Sequence, residues 1–207
     1  TIQAEKESGK KFKIYEIPYV WPKNILKKGA KIGFDPNLFT KEILNKYFGD
    51  EYNLVPLNTK FKKDINTKHV YPFFSINTIV SGESTNKKIN RFVKLMIKKK
   101  IDYSYISSGE NVCWLLNIRG KDLPNSPIAN CKIIITKKKQ IYFFSDKEKI
   151  KKIKFNLRKL NIYFLKEDNI LRCLNNLKTG NFSIDKKTCS VFEESLINYK
   201  FKIIEKE

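Results

Sequence analysis

Any histidine-dependent chemistry in this 207-residue chain has a single candidate, His69. A Ser-His-Asp or Cys-His arrangement would have to use that imidazole as its general base, and no GxSxG nucleophile elbow accompanies it. His69 sits in DINTKHVYP (64–72), a stretch with no clear period that contains Pro and Asn and reads as a linker. A lone histidine there reads as an ordinary surface residue. Hydrolytic metal sites draw two or more ligands from His, Asp and Glu at fixed spacing. Glu193 and Glu194 point to different sides of a helix and Asp146 and Glu148 start one, so both pairs read as solvated or capping carboxylates. Cys113, Cys131, Cys173 and Cys189 are widely spaced, with no CxxC pair for a four-cysteine zinc site. Their apolar or helix-like settings read as buried, reduced thiols of a cytosolic protein. The eight glycines are scattered, and neither GxxxxGK[ST] nor GxGxxG occurs. No catalytic residue and no metal ligand is assigned.

One segment invites a recognition role instead. ENVCWLLNIRGKDLPNSP (110–127) holds a single lysine in a very basic chain, and it sets an apolar patch against a loop with two prolines. Trp114, Leu115 and Leu116 are expected to anchor a helix end in the core, with NIRGKDLP leaving as an ordered loop. Gly120 permits a left-handed or tight turn, and Pro124 and Pro127 stiffen the return path. Arg119 and Asp122, three apart, are expected to pair and hold the loop's shape. Loops anchored at both ends are common places for recognition residues, so Arg119, Gly120, Asp122 and Pro124 are the candidate site. The plainer alternative is a rigid connector.

The elements that would position this loop follow from periodicity. Residues 1 to about 70 give a helix remnant, a strand at FKIYEI (12–17), a strand running into a turn at AKIGFDP (30–36) and a short helix KEILNKYF (41–48). Then STNKKINRFVKLMIKKK starts at Ser84 as N-cap and places Ile89, Phe92, Val93, Met96 and Ile97 on one face. A strand DYSYIS (102–107), a short helix ENVCWLLN behind Ser107 and Ser108, and a hairpin CKIIITKKKQIYFFS turning on its lysines follow. Next come a lysine-rich helix (146–159), the strand NIYFL, and a helix DNILRCLNNLK with Ile170, Leu171, Leu174 and Leu177 inward. The strand NFSI, the helix KKTCSVFEESLI and the strand KFKIIE close the pattern. Strands and helices alternating at this length predict an α/β fold, and the hairpin makes its sheet mixed.

A content of 41% hydrophobic residues suffices for real cores. The net charge of +21 would attract nucleic acid or anionic membrane at low salt, yet only four of the 42 basic residues are arginine (Arg91, Arg119, Arg158, Arg172). Specific phosphate and base recognition leans on arginine's planar fork, so the lysine excess reads as solvated faces with no specific nucleic-acid partner. Weak nonspecific binding is the remaining nucleic-acid reading. No apolar run approaches the roughly 18 residues of a membrane span, and nothing at the start resembles a signal peptide. The first residue is not Met and TIQAEKESG reads like the middle of a helix, so the chain reads as cut from something longer.

The segment WLLNIRGKDLPNSP closely resembles the WLLN-[LI]-RG-x-D-[IV]-P-x-x-P motif in the second domain of long, three-domain Xaa-Pro aminopeptidases of the creatinase and prolidase superfamily. TIQAEKE resembles the sequence after that family's D-G-R-Y strand, GFDPNLFT its G-[YF]-D-P-x-L-x-[TS] segment, and SGESTNKKI its AGESSxxK stretch. TKHVYP departs where the family has a Trp and a basic-proline element, and Cys113 stands where a small residue is usual. The resemblance implies a creatinase N-terminal-like α/β domain, with a mixed β-sheet flanked by helices, at 71–207. It is preceded at 1–70 by the C-terminal part of a truncated first domain of the same kind. It also implies that the catalytic "pita-bread" domain lies outside these residues, together with its two divalent metals, usually manganese, held by two Asp, one His and two Glu. This chain alone would then carry no cofactor and no peptidase activity. In the cytoplasm it would narrow access for peptides with proline at the second position, with Arg119 and Asp122 lining the cleft. Its partners would be the catalytic domain, in cis or as a separate chain, and a second copy in a homodimer. The alternative is a stand-alone remnant or binding module.

Overall fold

The computed structural model describes residues 2–17, 19–57 and 70–204, so His69 and most of the expected linker lie outside the described residues. The fold is mixed α/β, as expected: a six-stranded mixed sheet flanked by helices, with a smaller piece before it. That smaller piece comprises α1 (Ile2–Ser8), β1 (Lys31–Phe34), α2 (Lys41–Phe48) and β2 (Asn53–Pro56), with β1 and β2 paired in parallel. Helix α2 has the expected bounds. The Thr40 hydroxyl accepts from the Ile43 N–H at 3.2 Å, and Gly49 at φ 62 ends the helix. The strand expected at 12–17 does not form. A strand exists by pairing, and Phe12 and Ile17 are exposed with no neighbouring strand among the described residues.

The larger part runs β3 (Phe74–Ser75), α3 (Thr78–Ser81), α4 (Thr85–Lys98), β4 (Tyr103–Ile106), α5 (Gly109–Leu116), β5 (Ile118–Arg119), β6 (Lys132–Thr136) and β7 (Ile141–Phe144). It continues with α6 (Lys154–Leu157), β8 (Ile162–Leu165), α7 (Ile170–Asn176), β9 (Asn181–Ser183), α8 (Val191–Asn198) and β10 (Lys202–Ile204). The sheet order is β10-β9-β4-β6-β7-β8, with β6 antiparallel to both its neighbours and the remaining pairs parallel. The hairpin turns on the lysine run, where Lys139 takes φ 63. β6 alternates by period two: Ile133 and Ile135 enter the core on one face, and Ile134 enters the core on the other. The first core is covered by α4 and α5, the second by α7 and α8.

Four helix expectations need correction, the simplest being that the helix expected over KKTCSVFEESLI starts only at Val191, after a turn closed on the Asp185 carbonyl. The helix expected at 146–159 shrinks to α6, because the Lys149 carbonyl is taken at 2.7 Å by the Phe73 N–H and the Asp146 carboxylate takes the Glu148 N–H. Ile150, Ile153 and Leu157 are nevertheless buried, so turns deliver the apolar side chains that a helix was expected to deliver. Ile97 and Leu171 face solvent, and Cys173 takes the inward place on α7. All four cysteines are buried and free, as expected.

Helix α8 ties the two parts together. Its first N–H groups, which no helical carbonyl can satisfy, donate to Phe39 O at 2.8 Å (from Val191) and Pro36 O at 2.9 Å (from Phe192). Lys41 Nζ lies 2.8 Å from Glu194 Oε1. Glu193 closes a capping box with Ser190, accepts from the buried Tyr105 hydroxyl at 2.6 Å and pairs with Lys132. The expected capping role of Glu193 thus holds, whereas the expectation of solvated carboxylates fails for both glutamates, which are buried. Burial pushes the Glu193 carboxyl up, but the Lys132 ammonium, the Tyr105 hydroxyl and the Ser190 N–H outweigh it and hold it below the usual range. The Lys137 ammonium and the Asn181 N–H likewise hold Asp102 down.

Both carboxyls bind protons less readily folded than unfolded, so they stabilise the fold fully above their ordinary values of 4.5 and 3.8 and lose that contribution as the pH falls through the depressed folded values. The urea midpoint should therefore drop as pH is lowered from about 6 to about 3, and Glu193→Gln should flatten part of that slope. A slope unchanged by the substitution would contradict the assignment.

Candidate functional site

The candidate loop leaves the C-terminus of α5, and its geometry starts with how that helix ends. Asn117 caps α5 in the left-handed region (φ 53, ψ 43), which asparagine tolerates better than most residues. Its Nδ2 donates to Glu83 O at 2.8 Å, and its Oδ1 accepts from Lys88 Nζ at 2.7 Å. Lys88 Nζ also donates to Trp114 O at 2.8 Å and stands 4.6 Å from the centre of the Trp114 ring. The Lys88 side chain is buried. Its ammonium therefore meets the unsatisfied carbonyls and the negative end of the α5 dipole. Burial pulls its pKa down, with the Glu83 charge opposing. Leu115 and Leu116 anchor the helix end in the core as expected, but Trp114 does not. It is half exposed, with Lys88 and Arg91 over its ring.

Past Asn117, β5 pairs antiparallel with β3 through Phe74↔Arg119 and Ser75↔Ile118. Arg119 and Asp122 do not pair with each other. Arg119 Nη1 donates to Ile118 O at 2.7 Å and Cys113 O at 3.2 Å, turning back onto the helix end. Asp122 closes the loop: Oδ2 accepts from the Asn130 N–H at 2.7 Å, and Oδ1 lies 2.8 Å from Lys149 Nζ. The Asp122 carboxylate thus has one backbone and one ammonium partner, both charge-assisted.

Gly120 is required for closeness and not for a left-handed turn. A Cβ there would meet Ala129 Cα at 2.7 Å and Ile128 O at 2.9 Å, while Gly109 is pressed against Ala129 O in the same way. The residue that does take a left-handed turn is Asn125 (φ 59), behind Pro124 in the Leu123–Ser126 turn, the pattern of a type II turn. Cys113 Sγ accepts the buried Ala129 N–H at 3.2 Å, giving this position a polar use that alanine lacks. Burial pushes the Cys113 thiol up, so it stays protonated near neutral pH.

Of the four candidate residues, Arg119 bonds back to the helix end, Gly120 packs inward and Asp122 bonds across the loop. Pro124 alone stands at an exposed tip, with Leu123 and Asn125. The site thus presents a braced loop with an uncharged tip, in which Arg119 bonds backbone carbonyls and Asp122 bonds the Asn130 N–H and Lys149. Among the described residues no group of three or more His, Cys, Asp or Glu side chains could hold a metal ion. Lys88 and Asn117 carry the arrangement, and periodicity missed them. The available signal was that Lys88 lies four residues before Phe92 and eight before Met96, on the buried face of α4.

Asn117→Ala should destabilise the fold by about 2–3 kcal/mol in urea melts, since it removes a hydrogen bond from a charged donor and forces alanine into the left-handed region. Gly120→Ala should cost more than about 2 kcal/mol, because the obstructing atoms are backbone. Arg119→Lys within about 1 kcal/mol of wild type is the expected contrast, and near-equal effects of all three would contradict this account.

Comparison with known proteins places this geometry. Residues 66–207 match the family model described as Creatinase/Prolidase N-terminal domain. The chain is 30% identical over 151 residues to the Xaa-Pro aminopeptidase app-1 of Caenorhabditis elegans, covering 69% of this chain and 24% of that protein. It is 26% identical over 172 residues to Xaa-Pro aminopeptidase 1 of Dictyostelium discoideum, covering 72% of this chain and 27% of the relative. Among solved structures, the X-prolyl aminopeptidase of C. elegans, described as a cytosolic enzyme with a di-nuclear active site, superposes with a TM-score of 0.74 at 23% identity. That match covers 87% of this chain and 32% of the C. elegans chain. The chain thus spans about a quarter of the length of the curated relatives it matches.

Proposed function

This chain belongs to the creatinase/prolidase N-terminal domain family, and from that premise we propose that it serves as the non-catalytic N-terminal region of a metal-dependent Xaa-Pro aminopeptidase. Residues 1–70 are the end of a first domain, residues 71–207 are the second, and the second shapes access of peptides with proline in second position. The observation that carries this reading is the construction of the 118–130 loop. Arg119 bonds back to the helix end and Asp122 bonds across the loop, while Lys121 stays exposed and an uncharged Leu123-Pro124-Asn125 tip is left projecting. A rigid projection of that kind limits how much substrate can enter a neighbouring cleft without contributing to the bond-breaking step.

The catalytic domain, in the same chain or another, would supply both divalent ions, manganese by family habit. No group of described side chains fits them, so no step of the reaction is assigned to this chain. The similarity to a cytosolic enzyme and the buried free thiols support a cytoplasmic setting. Subunit contacts in a homodimer are a further role of the same region.

The test is a hybrid in which this chain replaces the matching region of the C. elegans enzyme. The chain alone should neither bind stoichiometric Mn²⁺ nor cleave X-Pro peptides. The hybrid should be active, and replacing Leu123–Ser126 by two glycines should raise kcat/KM for long peptides relative to tripeptides by about tenfold, a change of roughly 1.4 kcal/mol. Chelator-sensitive hydrolysis by the isolated chain, or a hybrid whose length preference ignores the loop, would overturn the proposal.

A further inference from the structure

The neighbouring parallel strands β4 and β9 send the chain to opposite faces of the sheet at their carboxyl ends. β4 runs through Ser107 into α5, whose Val112, Leu115 and Leu116 join the first core; β9 runs through 184–190 into α8, whose Ile197 joins the second. Helices that diverge in this way leave a crevice outside the strand ends, and open α/β sheets bind ligands in such crevices. Here it is a cavity of about 210 Å³.

One side of the cavity is apolar, with Phe92, Ile106, Trp114 and Leu115. The other carries Ser104, Ser107, Asn111 and Thr188, and the Ser107 and Thr188 hydroxyl oxygens lie 2.7 Å apart, joining the two segments that leave the strands. Asp185 is the one charged residue of the lining, and its Oδ1 already accepts the Lys187 N–H at 3.0 Å. Lys88 Nζ and the Arg91 guanidinium carbon stand 4.6 and 5.8 Å from the centre of the Trp114 ring.

We propose that this crevice binds an uncharged small molecule made of one apolar ring and an amide or hydroxyl head. The apolar side matches the ring and the hydroxyls and amide match the head, the mixture of wide apolar wall and few polar anchors typical of small-molecule sites. An anion would meet Asp185 with no ammonium or guanidinium in the lining to pair with it. A cation over Trp114 would compete with Lys88 and Arg91. The binding is a property of this domain and does not require the peptidase reading.

Three isosteres differing in charge test it on the full 207-residue chain: benzamide, benzoate and benzamidine, titrated while backbone amide shifts are followed. Benzamide should saturate with a Kd of about 1 mM, as its nine heavy atoms allow, and the shifts should centre on Ser107, Asn111, Trp114 and Thr188. The two ions should bind at least tenfold more weakly. Asn111→Leu and Thr188→Val, each with an otherwise unchanged amide spectrum, should weaken benzamide about tenfold. Equal affinity for the three compounds, shifts centred elsewhere, or no saturable shift by about 10 mM benzamide would overturn the proposal.

Discussion

A buried ammonium at the end of a short helix decides what the rest of this domain can present. Among the described residues no carboxylate forms a salt bridge with Lys88, although the Glu83 charge acts on it from a distance. The charge is held by Trp114 O, Asn117 Oδ1 and the Trp114 ring, all belonging to the last turn and cap of α5. Desolvating a lysine is costly unless its donors are used, so the cluster works only while those acceptors stay in place. The acceptors in turn fix Asn117 in its left-handed conformation, and Asn117 sets the direction in which β5 leaves. Lys88 sits on α4, so the constraint joins α4, α5 and the loop beyond them into one body.

That rigidity explains the division of labour beyond the helix. Arg119 bonds back to the helix end, Gly120 presses on Ala129, and Asp122 bonds to Asn130 and Lys149. Polar groups spent on holding a loop are unavailable for chemistry. Under the proposed function, a domain built this way contributes an edge to a neighbouring catalytic domain. At the far end, α8 takes the carbonyls of Pro36 and Phe39 on its free N–H groups, so the smaller piece is held by the same device of satisfying helix ends with neighbouring backbone.

Much of this was legible in the sequence where local signals and tertiary demands agree. The Ser84 cap with the stripe Ile89, Phe92, Val93 and Met96 gave α4, and the lysine turn gave the β6–β7 hairpin, because capping and periodicity are local properties. The WLLNIRG segment marked the ordered loop that leaves α5 but assigned the wrong contacts within it. A three-residue spacing suggested an Arg119–Asp122 pair, whereas partners eight and 27 residues further along, Asn130 and Lys149, took the carboxylate. Pairings at such distance depend on how the sheet is assembled. The helix expected at 146–159 failed for the same reason: Phe73, far back in the chain, claims the Lys149 carbonyl. Lys88 escaped notice because lysine is so common here that a buried one looks like its neighbours.

The claim at the centre is that Lys88 holds the 118–130 edge rigid. Amide hydrogen exchange in the chain and in Lys88→Met measures it most directly, read at the N–H groups of Ile76, Asn117 and Gly120, which bond across this edge or cap the helix before it. The account predicts slow exchange at all three in the wild type, and in the variant a rise of at least tenfold there while β6 and β7 amides stay protected. Unchanged exchange at these amides, or loss of protection spread evenly over the sheet, would contradict it.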